Sequence, residues 1–73
     1  MKLPRASGKQ TVNALLRAGF ITHRIRGSHY ILKHLETGRR VTIPYHRKEL
    51  APKTLRSILR QADISQETFS SLL

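Results

Sequence analysis

Apolar residues change their spacing along this chain from helical to alternating and back to helical. Val12, Leu15 and Leu16 recur three and four positions apart, as on one face of a helix. Ser7, three residues before Gln10, has the form of a capping box, in which a hydroxyl and a side-chain amide each satisfy a backbone group at the helix start. Gly19 supplies a C-terminal stop, so the spacing predicts a helix over about residues 8–18. From Phe20 to Arg26 β-branched and aromatic residues take over, with Ile21 and Ile25 expected on one side, until Gly27-Ser28 breaks the run. His29–His34 reads as a second strand. After a turn at Glu36-Thr37-Gly38, Arg39–Tyr45 alternates basic or polar residues with Val41 and Ile43 as a third. Pro44 cannot donate to a ladder and suits a strand end or a sheet edge.

Ala51-Pro52 opens the next helix, with Leu55, Ile58, Leu59 and Ala62 as its apolar stripe and Arg56, Ser57 and Arg60 lying off it toward solvent. A short last helix starts at Ser65 as cap, with Glu67 in its first turn and Phe69, Leu72 and Leu73 placed to dock on the core. The order is αβββα with a short C-terminal helix. Three successive strands joined by tight turns make an antiparallel sheet, so the fold class is α+β, with both main helices on one sheet face. The opposite face, or its rim, is left for a ligand.

Length and charge narrow the partners. A chain of 73 residues has room for one domain, 1–73, and one this short hides roughly 60% of its unfolded surface, so its core is small. Fourteen Lys and Arg against four Asp and Glu leave a net charge of +10, spread along the whole sequence. That is the balance of a folded polyanion binder. No segment joins a basic face to a wide apolar one, which disfavours a membrane surface. The longest purely apolar runs, Ala14–Leu16 and Tyr30–Leu32, predict neither a signal peptide nor a membrane span. Cysteine is absent, which excludes a disulfide framework, a thiolate nucleophile and a Cys-based zinc site, and agrees with a cytoplasmic location.

Little in the sequence carries chemistry. No two of His23, His29, His34 and His46 stand three or four apart, and His29 and His34 differ in parity on one strand and so face opposite ways. Asp63 is the only Asp, and Glu36, Glu49 and Glu67 are scattered, so neither paired carboxylates nor a metal site is expected, and no cofactor. What remains is Gly27-Ser28-His29, just after Arg24 and Arg26, where an imidazole that titrates near neutrality meets cations and a free backbone. By itself the tripeptide fits an ordinary surface histidine better than a catalytic one.

In their order and spacing, however, several segments resemble the HicA family of toxin ribonucleases over residues 2 to about 69. They are Lys2-Leu3-Pro4, Ser7-Gly8-Lys9, Ala18-Gly19-Phe20, Gly27-Ser28-His29, Arg40-Val41 through Pro44, His46, and Thr54-Leu55-Arg56 continuing to Ile58-Leu59-Arg60-Gln61-Ala62. The resemblance implies a double-stranded-RNA-binding-domain-like fold and a catalytic histidine at His29. It also implies a type II toxin–antitoxin role, metal-independent cleavage of mRNA, and a cognate HicB-like antitoxin that occludes the active site. The chain departs from the family at Lys53, where Gly is frequent, at Tyr45, and at the Glu36-Thr37-Gly38 turn; these positions bear on RNA preference and antitoxin fit.

For RNA binding the candidates are Lys9, Arg24, Arg26, Gly27, Ser28, Lys33, Arg39, Arg40, Arg47 and Lys48, those nearest the Gly-Ser-His turn and the third strand most favoured. Tyr30 and Tyr45 are expected to pack rather than stack on bases, and His46 to serve structure. His23 and His34 are expected on the surface, and Ser7 as a cap. The alternative function is a non-catalytic RNA-binding module of a ribonucleoprotein or regulatory complex.

Overall fold

The computed structural model describes residues 3–73; Met1 and Lys2, and with Lys2 the first residue of Lys2-Leu3-Pro4, lie outside the described residues. The elements are α1 (Gly8–Arg17), β1 (Phe20–Arg26), β2 (His29–His34), β3 (Arg40–Pro44), α2 (Pro52–Ala62) and α3 (Gln66–Leu72). The capping box of α1 forms in both directions. Gln10 N–H donates to Ser7 Oγ at 3.0 Å, and Ser7 N–H donates to Gln10 Oε1 at 2.9 Å. The helix closes at Arg17, with the Ala18 N–H bonding back to the carbonyls of Ala14 and Leu15.

The first turn of α1 lies hard against the end of β3. A Cβ built on Gly8 would overlap the carbonyl oxygen of Pro44, so only glycine lets the two backbones approach this closely. The neighbouring Lys9 N–H donates to the His46 carbonyl at 3.1 Å. Thr11, fully buried, is satisfied by donating its hydroxyl to the Ser7 carbonyl at 2.8 Å.

The sheet has the order β1-β2-β3, antiparallel throughout. Residues directly opposite each other share a face. On the inner face Phe20 pairs with His34, Thr22 with Leu32 and Val41, and Ile25 with Tyr30 and Ile43. On the outer face Ile21 pairs with Lys33 and Arg40, Arg24 with Ile31 and Thr42, and Arg26 with His29 and Pro44. The parity of β1 changes midway because the register shifts between Thr22 and Arg24, leaving His23 as a bulge. This corrects the expectation that Ile21 and Ile25 share a side: the extra residue sends Ile21 outward and Ile25 inward. Neither is buried, at 41% and 52% exposed.

Between Arg26 and His29 the chain reverses through two residues. Gly27 sits at φ 59° and Ser28 is not left-handed, the arrangement of a hairpin turn with glycine at its first central position. β3 is shorter than the sequence suggests. Arg39 turns its N–H to Thr37 Oγ1 at 3.3 Å and its side chain to Asp63, and the Tyr45 N–H crosses to the Ser28 carbonyl at 2.6 Å.

The core joins Phe20, Leu32, Val41 and Ile43 of the sheet to Val12, Ala14 and Leu15 of α1, Leu55, Ile58, Leu59 and Ala62 of α2, and Phe69 of α3. α2 packs along β3, and α3 docks on α1 with Arg17 donating to the Leu72 carbonyl at 2.9 Å. Both main helices thus cover the inner face, as the apolar stripes require. Leu16, part of the apolar spacing of α1, and Leu73, expected to dock, are exposed. Among the described residues no helix is long and apolar enough to cross a membrane.

Candidate functional site

The uncovered outer face is where the sequence-predicted residues gather. His29 opens β2 and is exposed, with Arg26 directly across on one side and Pro44 on the other. Arg24 lies in the next row, and Lys33 and Arg40 face each other in the row beyond, roughly 13 Å from His29 at the rise of a strand. Arg24, Arg26 and Arg40 are exposed and Lys33 is half-buried. None of Glu36, Glu49, Asp63 or Glu67 belongs to these rows, so the face carries cations without carboxylates. The His23 bulge is what brings the two arginines here. On an unbroken strand Arg24 and Arg26 would share the parity of buried Phe20.

Gly27 and Ser28 form the tip beside His29. No neighbour comes within 4 Å of a Cβ built on Gly27, so its backbone is open to a ligand, whereas the Ser28 carbonyl is held by Tyr45. Lys9, Arg47 and Lys48, all exposed, belong to the same end of the sheet, because the loop that carries Arg47 and Lys48 leaves β3 opposite His29 and bonds to α1 at Lys9. Arg39 does not join them. It stands at the other end of the sheet, its guanidinium 3.8 Å from the Asp63 carboxylate, beside Phe20 and His34.

Among the remaining aromatic and histidine residues, the two tyrosines and His34 serve the scaffold. Tyr30 and Tyr45 stack on each other with ring centroids 4.1 Å apart and pack against the core, as expected. His34 differs from its expected surface placement. Its Nδ1 accepts the N–H groups of Glu36 and Thr37, each at 3.2 Å, which leaves the proton on Nε2 to meet the Ala18 carbonyl at 3.2 Å. Its ring lies edge-on to Phe20. His23 is exposed at the bulge, and His46 is exposed with its carbonyl held by Lys9. Among the described residues no three His, Asp or Glu side chains gather as a metal ion would require.

Beside His29 a groove of about 420 Å³ separates the sheet from α2. It is lined by His29, Thr42 and Pro44 on the strand side and by Lys53, Thr54, Ser57, Ile58 and Gln61 on the helix side. Sequence reasoning did not connect α2 to His29. The available signal was a polar row at Lys53, Ser57 and Gln61, each four residues from the next and so in line along one side of the apolar stripe.

A helix-backed antiparallel sheet whose open face sets an imidazole in rows with cations defines a small basic α+β protein. The family model described as HicA toxin of bacterial toxin-antitoxin matches residues 8–64, and the chain belongs to the HicA toxin family. Its role is that of the toxin in a toxin–antitoxin system, and the family implies a cognate antitoxin as its partner. No curated protein matches the chain.

Proposed function

We propose that this toxin belongs to a type II toxin–antitoxin system and is an endoribonuclease that cleaves mRNA in the cytoplasm, using His29 and no metal ion. The observation that carries the reading is the position of His29: exposed, opposite Arg26, between a carboxylate-free basic face and a groove. An RNA strand crossing Arg24, Arg26, Lys33 and Arg40, with Lys9, Arg47 and Lys48 at the rim, brings its phosphates past the imidazole. Gly27 and Ser28 leave room for the backbone at that point.

Neutral imidazole at His29 takes the proton of a ribose 2′-hydroxyl. The oxygen attacks the adjacent phosphorus in line, the bond to the 5′-oxygen breaks, and a 2′,3′-cyclic phosphate and a 5′-hydroxyl result. The leaving oxygen takes its proton from the imidazolium or from water. Nearby guanidinium and ammonium groups offset the charge that builds on the phosphoryl oxygens. One such proton-transfer group contributes about 10²–10⁴-fold, or about 3–5 kcal/mol of barrier, so the enzyme is a slow one, which suffices to arrest growth. The HicB-like antitoxin silences it by covering His29.

The test is His29→Ala. Cleavage in chelator-treated buffer and growth arrest disappear, RNA and antitoxin binding persist, and RNA carrying 2′-O-methyl groups resists the wild-type protein. A variant that still cuts RNA at the wild-type rate removes His29 from the chemistry. Wild-type protein that binds RNA and never cuts it makes the chain a binding module.

A further inference from the structure

The groove beside His29 has two unlike walls, and the helix wall is chemically ordered. Lys53, Ser57 and Gln61 lie in line along α2, with Thr54 beside them and buried Ile58 as an apolar floor. Gln61 donates its amide N–H to Ser57 Oγ at 3.2 Å, which leaves the amide oxygen, the second amide N–H and the serine hydroxyl proton for other partners. Opposite stand His29, Thr42 and the flat ring of Pro44. A cation at one end, paired hydrogen-bonding groups at the other and an apolar floor between them match the parts of a nucleotide: a phosphate, a base edge and a base face. The volume, about 420 Å³, is at the lower end of the range that holds one small ligand.

We infer that this groove is a nucleotide subsite, in which Lys53 holds the scissile phosphate against His29 and the Ser57–Gln61 pair reads the edge of the adjoining base. The inference rests on the proposed nuclease activity and extends it, because it makes α2 the wall that chooses where the strand is cut. The outer sheet face then supplies affinity through phosphates, which carries no sequence information, and the groove supplies discrimination. A base within it has left its pairing partner, so the strand enters unpaired at the point of cleavage.

Five variants of the full chain, His29→Ala, Lys53→Ala, Lys53→Arg, Gln61→Ala and Arg60→Ala, test the subsite on one long transcript of mixed sequence, with cut sites mapped by primer extension and rates measured. Lys53, Gln61 and Arg60 are exposed, so thermal unfolding midpoints stay near the wild-type value. Lys53→Ala lowers kcat/KM about tenfold or more through kcat, and Lys53→Arg restores most of it. Arg60→Ala removes the same charge from the same helix outside the groove and costs no more than about twofold. Gln61→Ala redistributes the cut sites. If His29→Ala is inactive while Lys53→Ala matches Arg60→Ala and Gln61→Ala keeps the wild-type pattern, the subsite is wrong and the nuclease reading stands. If His29→Ala still cuts, both are wrong.

Discussion

The two ends of β2 carry a histidine each and use it in opposite ways. His34, at the turn end, gives both ring nitrogens to backbone groups and its edge to Phe20, tying α1, β1 and the 35–38 turn together. His29, at the hairpin end, stands exposed between cations and a groove. The same side chain is therefore structural where its polar atoms are already answered by the fold and available for chemistry where they are not. Parity along the strand sends the two rings to opposite faces. The surrounding elements decide the rest: a turn folds its N–H groups over His34, whereas a hairpin tip of glycine and serine leaves His29 uncovered.

The contrast breaks most sharply at the histidines. His29→Ala is expected to remove about 10²–10⁴-fold of activity with stability changed by less than about 0.5 kcal/mol, measured by transcript cleavage and thermal unfolding. A stable but fully active variant would end the comparison. Gly8→Ala is next, because its methyl group meets the Pro44 carbonyl from inside and nothing there can yield without moving β3; it costs about 3 kcal/mol, read from denaturant unfolding, and carries the His29 row with it. His34→Ala is expected to cost about 1 kcal/mol by removing the partner of the part-buried Ala18 carbonyl and the edge packed on Phe20, while the purified folded fraction cuts RNA at the wild-type rate. Loss of activity without loss of stability in that variant would show that the two histidines are not divided as described.

Smaller effects sharpen the picture of the hairpin end. Gly27→Ala places a side chain at φ 59° and is expected to cost about 1 kcal/mol, with open space around it and hence no further clash. Substituting Arg24 or Arg26 by Ala leaves stability nearly unchanged and flattens the dependence of log K on log salt by about 0.7 for each phosphate of a single strand that the protein no longer neutralises. Arg39→Ala, at the other end, leaves that slope alone and removes only an exposed ion pair.

Periodicity and capping made the elements legible. Ser7 and Gln10 announce α1, the Leu55, Ile58, Leu59 and Ala62 stripe announces α2, and alternation in Arg39–Tyr45 announces β3 to within a residue at each end. Resemblance, rather than residue chemistry, singled out His29. Three features were not legible because each depends on how separate elements and turns close on one another. The His34 bonds need Ala18 and the following turn to close around it, the helix wall of the groove needs α2 laid along β3, and the Arg39–Asp63 pair needs the end of α2 brought to the start of β3. The His23 bulge was hidden for a different reason. A register shift leaves no composition signal, and Phe20–Arg26 reads equally well as an unbroken strand.

That bulge makes one hairpin arm tolerant of losing a residue. Deleting His23 would leave Phe20, Ile21, Thr22, Arg24, Ile25 and Arg26 in strict alternation, so the arm would lose its kink and keep both guanidinium groups on the open face and Ile25 toward the helices. A one-codon deletion of this kind would therefore leave the basic rows and His29 where they are, so two copies of the gene that differ in length at this codon can present the same surface.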